Sequence, residues 1–316
     1  MSAKTRPADP GARDPALEAA LADALGGGSC RGAPQRSSSR RTIAVVGCGP
    51  VGPRSAPPAA VVVATPAIYA YQRVGSTMEV AHDLAAGGAP EGTLIFAARQ
   101  EQGRGRLGRV WHSPEGGAYC SIILRPLRPT SEIPQLSLVA GLAVAETIRE
   151  LTNTSPAIRW PNDVLVDGLK VAGILTESRS TNHDPRPSVV IGIGINVSTD
   201  PAGLPPNSTS LKKCQTLFGL FRPFKVSDTS TVAAEVYRRL MQWYHVWSRQ
   251  GFAPIRQALR PWMGGFGQPV SITAGADQFT GTASDLDESG RLLVRLDHGI
   301  LRPFDMGEVT LLRPHA

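Results

Sequence analysis

The sequence predicts an α+β protein, with a mixed helix-and-strand unit followed by a small all-β unit. Three observations point there. From about residue 67 to 263, strand-like and helix-like apolar segments alternate irregularly, which suits a sheet packed with helices better than a regular βαβ repeat. After Gly264 the pattern turns to short alternating strands, with turns at Ser289-Gly290 and His298-Gly299. Residues 1–66, by contrast, are rich in Ala, Pro, Gly, Ser and Arg, and read as a disordered extension. The expected divisions are therefore 1–66, 67–263 and 264–316.

In the first segment "PALEAALADAL" is a lone short helix pattern. "APQRSSSRRT" suits a plastid or mitochondrial transit peptide, whereas Asp9, Asp14, Glu18 and Asp23 do not, because such peptides are poor in acids. Gly47, Gly49 and Gly52 match a G-x-G-x-x-G fingerprint, but Pro53, Pro57 and Pro58 follow where a dinucleotide site needs a helix. A nicotinamide oxidoreductase is disfavoured on that ground.

The second segment opens with "VAHDLAAGG" as a helix and "TLIFAAR" and "AYCSIIL" as buried strands. "LSLVAGLAVAETIREL" reads as a buried helix. The longest apolar stretch, "IPQLSLVAGLAVAETIREL", is interrupted by Gln135, Ser137 and Glu146, so no membrane span is expected. "VLVDGLKVAGIL" is a hairpin about Asp167-Gly168, which suits a tight primed turn. "SVVIGIGINVS" is another strand. A helix from about Ser230 to Gln250 shows Val232, Val236, Leu240 and Trp243 on one face and stops at Gly251, with "APIRQALRPW" as a shorter helix after it. The helices are expected on one face of the sheet. "PVSITAG", "QFTGTASDLD", "RLLVRLD" and "EVTLL" then make a small barrel.

Composition sets further bounds. A hydrophobic content of 41% over 316 residues is ample for a core. The net charge of +7 says little about a ligand, because the first 66 residues hold eight Lys and Arg against four Asp and Glu. Cys30, Cys48, Cys120 and Cys214 lack C-x-x-C spacing, which argues against a disulfide framework or a zinc site and for a reducing, cytoplasmic setting.

Chemistry concentrates in four places. "GRGRLGRVW" (103–111) runs between two buried strands; its glycines let backbone approach an anion, its guanidinium forks suit carboxylate or phosphate, and Trp111 offers a plate for a planar ring. In "RWPNDVLVDGLKVAGIL", Lys170 sits among Leu169, Val171, Ala172 and Ile174, and a lysine facing a sheet interior needs an anionic partner. In "VGSTMEVAHDL", Ser76 and Thr77 either cap a helix starting near Met78 or present its N-terminus to a ligand. "IGIGINVS" places glycines around Asn196, leaving room for a ligand against the backbone.

The order "GST", "QEQGRGRLGRVWHSPEGGAYCSIILRP", "RWPNDVLVDGLKVAGIL", "GIGINV" and a β unit ending "GEVTLL" resembles the biotin–protein ligases over roughly residues 68–313. The resemblance implies a catalytic domain like that of class II aminoacyl-tRNA synthetases and an SH3-like C-terminal barrel. It implies an enzyme that uses ATP and Mg2+ to make biotinyl-5'-AMP, then passes biotin to a lysine on the biotin carboxyl carrier domain of a biotin-dependent carboxylase such as acetyl-CoA carboxylase. Matched position by position, Ser76, Thr77, Gln100, Gly103, Gly105 and Gly173 would contact biotin. Arg104, Arg106 and Lys170 would meet both carboxylate and phosphate, and Trp111, Asn162 and Asn196 would line the nucleotide side. Met78 stands where relatives commonly have Asn, and Arg159 where they have Lys.

The reaction joins two anions, so it calls for positive charge and no nucleophilic side chain. The alternative is a lipoate or octanoate ligase or transferase of the same superfamily. No pair of helices for a helix-turn-helix precedes the catalytic unit, so no DNA role is expected. No membrane partner is expected, and the protein reads as a monomer or a homodimer.

Overall fold

A computed structural model describes residues 11–26, 66–181, 184–217, 228–305 and 307–311. The N-terminal segment supplies the first correction. Pro15–Gly26 is a helix, α1, with Leu21 fully buried and Leu17 and Leu25 packed beside it, an i, i+4, i+8 stripe. The helix pattern of "PALEAALADAL" is real and docked, whereas composition averaged over 66 residues places it in a disordered extension. Asp14 N–H donates to the Ala70 carbonyl at 2.8 Å, and the Ala70 N–H donates to the Glu18 carboxylate at 3.3 Å. Gly47, Gly49, Gly52 and the transit-peptide reading lie outside the described residues.

The chain then runs β1 (Ile68–Val74), α2 (Thr77–Ala86), β2 (Leu94–Gln100), β3 (Gly117–Leu124), α3 (Gln135–Thr152), β4 (Ala157–Arg159), β5 (Asp163–Val166), β6 (Leu169–Thr181) and β7 (Asp184–Asn196). These seven strands form one sheet in the order β1-β2-β3-β7-β6-β5-β4. β1 and β2 are parallel, as the α2 crossover requires, and the other pairings are antiparallel. All of β3 is buried, matching a sequence in which Ser121 is the one small polar residue among apolar ones. The β5–β6 turn is at Asp167-Gly168, both with positive φ (52° and 76°), as a primed turn demands.

Three helices follow: α4 (Leu211–Leu217), α5 (Thr229–Gln250) and α6 (Ala253–Leu259). The Asp228 carboxylate caps α5, and Gly251 (φ 76°) ends it. α3, α5 and α6 cover one face of the sheet with the main core. α2 covers the other, where Met78, Ala81 and Ala85 meet Ile95, Ala97, Ile123 and Val190. The helices therefore lie on both faces, against the one-face expectation. The outward residues of β2 and β3 are as apolar as the inward ones, so they needed cover of their own.

The C-terminal unit contains β8 (Pro269–Ala274), β9 (Asp277–Leu286), β10 (Leu292–Leu296), β11 (Leu301–Phe304) and β12 (Glu308–Leu311), ordered β11-β10-β9-β8-β12. It is an SH3-like antiparallel sheet, open between β11 and β12 rather than a closed barrel. Its 287–290 turn docks on the larger unit, where Trp160 Nε1 donates to the Gly290 carbonyl at 3.1 Å. Among the described residues, no helix is long and apolar enough to cross a membrane.

Candidate active site

Register builds the floor of a cleft. Gly173 on β6 pairs with Gly194 on β7, and the Trp111 indole lies across both. A Cβ on Gly194 would come within 2.4 Å of the indole Nε1, and one on Gly173 within 2.8 Å of Cζ3. Gly192 does the same for Met78, whose sulfur would lie 2.5 Å from an added Cβ. The space foreseen beside these glycines is thus taken first by two side chains of the protein itself.

The inner wall is a buried chain of neutral hydrogen bonds. Ser121 Oγ donates to Thr77 Oγ1 at 2.8 Å, and Thr77 Oγ1 donates to Gln100 Oε1 at 3.0 Å. The same Gln100 oxygen accepts from Thr77 N–H, while Gln100 Nε2 donates to Ser113 Oγ at 2.9 Å. Ser76 precedes α2 but its side chain makes no cap bond, and its hydroxyl is buried without a partner. The cap reading of Ser76 therefore fails, while the Thr77 hydroxyl is taken by Gln100. Burial pushes the nearby Cys120 thiol up to about 12, so it stays protonated and is no nucleophile at neutral pH.

The Arg-Gly loop closes over the outer end. Trp111 N–H donates to the Gly103 carbonyl and Gly105 N–H to that of Arg109, at 2.9 and 2.7 Å. Gly103 cannot be replaced freely, because a Cβ there would sit 2.3 Å from the Trp111 carbonyl oxygen. Arg106 Nη1 donates to Asn162 Oδ1 at 3.0 Å, and Arg104 Nη2 to the Glu177 carboxylate at 2.8 Å.

Lys170 has the anionic partner that its strand position called for. Its ammonium lies 2.6 Å from one Asp163 oxygen, Arg159 holds the other at 2.6 Å, and the same ammonium stands 5.2 Å from the Trp111 ring centre. The Lys170 backbone bonds to Asn207 and Thr209, fixing it against the 207–209 loop. Asn196 is buried, donating from Nδ2 to the Thr209 carbonyl and leaving Oδ1 without a partner.

Thr77, Gln100, Arg104, Gly105, Arg106, Trp111, Asn162, Lys170 and Gly173 all line one cleft of about 470 Å³ that opens to solvent. Gly103 supports its loop from behind, Ser76 adjoins its inner end, and Asn196 lines a neighbouring cleft with Arg159, Asp163 and Lys170. Sequence reasoning missed Asp163 as the partner of Lys170, Met78 as a wall, and the pair Glu177 and His82 behind Arg104. Asp163 stands within the recognised W-P-N-D run, and Glu177 is a lone carboxylate after the apolar "VAGILT", so both left a trace.

Comparison with known proteins agrees with this geometry. Residues 70–196 match the biotin/lipoate A/B protein ligase family, and residues 265–312 match the biotin protein ligase C terminal domain. The bifunctional ligase/repressor BirA of Bacillus subtilis is 39% identical over 228 residues, 72% of this chain and 69% of that protein. The biotin–[acetyl-CoA-carboxylase] ligase of Paracoccus denitrificans is 33% identical, covering 64% of this chain and 83% of its own. The biotin protein ligase of Aquifex aeolicus, solved in complex with biotin and ATP, superimposes with a TM-score of 0.65 at 31% identity, over 78% of this chain and 99% of the other.

Proposed function

From the premise that the chain belongs to the biotin protein ligase family, we propose how its own residues divide the work of an ATP-dependent biotin–protein ligase. The inner end of the cleft takes the biotin head group, with the unpaired Ser76 hydroxyl and the Thr77–Gln100 pair as its polar contacts. The biotin carboxylate then points outward to Lys170. An oxygen of that carboxylate attacks the α-phosphorus of ATP, forming the mixed anhydride biotinyl-5'-AMP as the bond to pyrophosphate breaks. Two anions must meet, so Lys170, Arg104 and Arg106 supply opposing charge at a water-poor site. Lys170 exchanges Asp163 for the ligand, and Arg159 keeps the Asp163 carboxylate paired meanwhile. Trp111 carries the adenine, and Asn162 borders the nucleotide side.

Magnesium entering with the nucleotide fits hard oxygen donors, and Asp163 and the unpartnered Asn196 Oδ1 line one cleft. Bound there, the ion would add counter-charge for the phosphates. In the second step a lysine amine on a biotin carboxyl carrier domain attacks the anhydride carbonyl, and AMP leaves. We assign the work to a unit of residues 67–263, with 264–316 as the smaller C-terminal unit; the two family matches support that division. The observation that carries the reading is Lys170, held between Trp111 and Asp163 where the neutral inner end gives way to the charged loop. The C-terminal match favours biotin over lipoate. Incubation with ATP, labelled biotin and a carrier domain should yield pyrophosphate, AMP and a labelled carrier lysine. Transfer of lipoate or octanoate in place of biotin would reverse the choice.

A further inference from the structure

Behind the Arg-Gly loop lies a second, charged network that shares only Arg104 with the reaction. Glu177, two residues beyond the cleft-lining Leu175 on β6, offers one carboxylate oxygen to Arg104 at 2.8 Å and the other to His82 Nε2 at 3.0 Å. His82 stands on α2 one turn after Met78 and is buried, with Nδ1 lacking a partner. Arg179 lies 3.8 Å from the same carboxylate, and Glu79 lies 3.7 Å from Arg104. The three components belong to the three walls of the cleft: α2, β6 and the loop.

We infer that Glu177, held in place by His82, is a positioning residue that docks Arg104 and so keeps the loop shut over the activated intermediate. The inference rests on the ligase reading above. An ordinary surface ion pair would do little, because water and side-chain entropy cancel most of its attraction. Here the carboxylate is 23% exposed and one oxygen is fixed by a buried ring, so Arg104 meets an acceptor already in position. Burial, and then the Arg179 charge, hold His82 below the ordinary histidine range. The ring is therefore neutral, donates from Nε2, and leaves the full carboxylate charge to Arg104 and Arg179. Glu177 touches no reacting atom, so it acts on retention of the adenylate rather than on its formation.

The test loads the full chain with labelled biotin and ATP, then follows release of biotinyl-5'-AMP after a chase with unlabelled intermediate. Glu177→Gln should speed release about fivefold, the scale of a partly exposed charge pair. The biotin KM should rise in step, with single-turnover adenylate formation within about twofold of wild type. His82→Leu should reproduce this, whereas His82→Gln, whose amide can replace the Nε2 donor, should behave as wild type. If Glu177→Gln folds poorly, Arg104→Gln, a change at a side chain 37% exposed, must itself speed release. Release unchanged in Glu177→Gln or in Arg104→Gln overturns the inference. So does a fall in the rate of adenylate formation that tracks a fall in Tm, since that marks a merely structural role. A wild-type protein that forms no adenylate refutes the ligase reading instead.

Discussion

The two ends of the cleft are held by different forces. At the inner end, Ser121, Thr77, Gln100 and Ser113 form a chain of neutral hydrogen bonds among mostly buried groups. At the outer end Lys170, Arg106 and Arg104 rest on Asp163, Asn162 and Glu177, with side chains a quarter or more exposed where the lysine and Arg104 are concerned. Neutral bonds away from water are costly to leave unmade, so the inner end is built once and kept. Charged side chains on long stems near solvent change partners cheaply, so the outer end can trade a protein anion for a phosphate. Recognition and chemistry are separated along a few ångströms by this difference in material.

Substitutions can break that contrast. Lys170→Ala should lower the rate of pyrophosphate release by about ten- to a hundredfold, the value of a charge-assisted contact, while Tm stays near wild type. An equal loss of stability would mean that the lysine is mainly a strand residue. Gln100→Leu should do the opposite. It strands the Thr77 N–H and the Thr77 hydroxyl, costs about 1–3 kcal/mol of stability, and raises the biotin KM more than it lowers kcat. Denaturant unfolding alongside steady-state kinetics separates the two.

Removal of residues 1–26 sharpens the contrast by touching neither end. Loss of the buried Leu21 and its neighbours, less the entropy of ordering a helix, should cost about 1–2 kcal/mol. Both KM values should remain unchanged. A shift in the biotin KM would show that α1 reaches the cleft through β1, whose last residue stands two before Ser76.

The smallest effect concerns pH. A histidine whose folded pKa lies below its unfolded value binds its proton more readily when unfolded, so acid favours unfolding. The contribution of His82 to stability is full above the ordinary value of 6.5 and drains as pH falls through it. Between pH 8 and 5.5 wild type should lose less than about 1 kcal/mol more than His82→Gln. Equal slopes for the two proteins would assign the ring no part in that loss.

Most of the cleft was legible because its residues travel in short runs. "GRGRLGRVW" and "RWPNDVLVDGLK" each keep their functional side chains within a few residues, where spacing and residue type suffice. What escaped was set by register and distance. The Lys170–Asp163 contact depends on a bulge between Val164 and Leu165, which pairs Leu165 with Lys170 and no alternation announces. His82 and Glu177 are 95 residues apart and meet only because α2 covers the β6 and β7 side of the sheet. The fold was legible by the same logic: strong local periods gave α3, α5 and the C-terminal strands. The α1 pattern was legible but its docking was not, because its composition was judged with that of the residues around it rather than on its own twelve.

The Trp111 indole, seated on Gly173 and Gly194 with an ammonium 5.2 Å away, gives the cleft an optical property of its own. Of the other four tryptophans, Trp243, Trp247 and Trp262 belong to the helix core, and Trp160, bonded to Gly290 at the join with the C-terminal unit, borders the nucleotide side. A phosphate or carboxylate that draws Lys170 off the ring, or a base that stacks on it, alters the field around Trp111 most directly and leaves the three tryptophans of the helix core unchanged. The unmodified protein thus carries its own fluorescent gauge of occupancy, placed by two glycines that leave the indole room to lie flat.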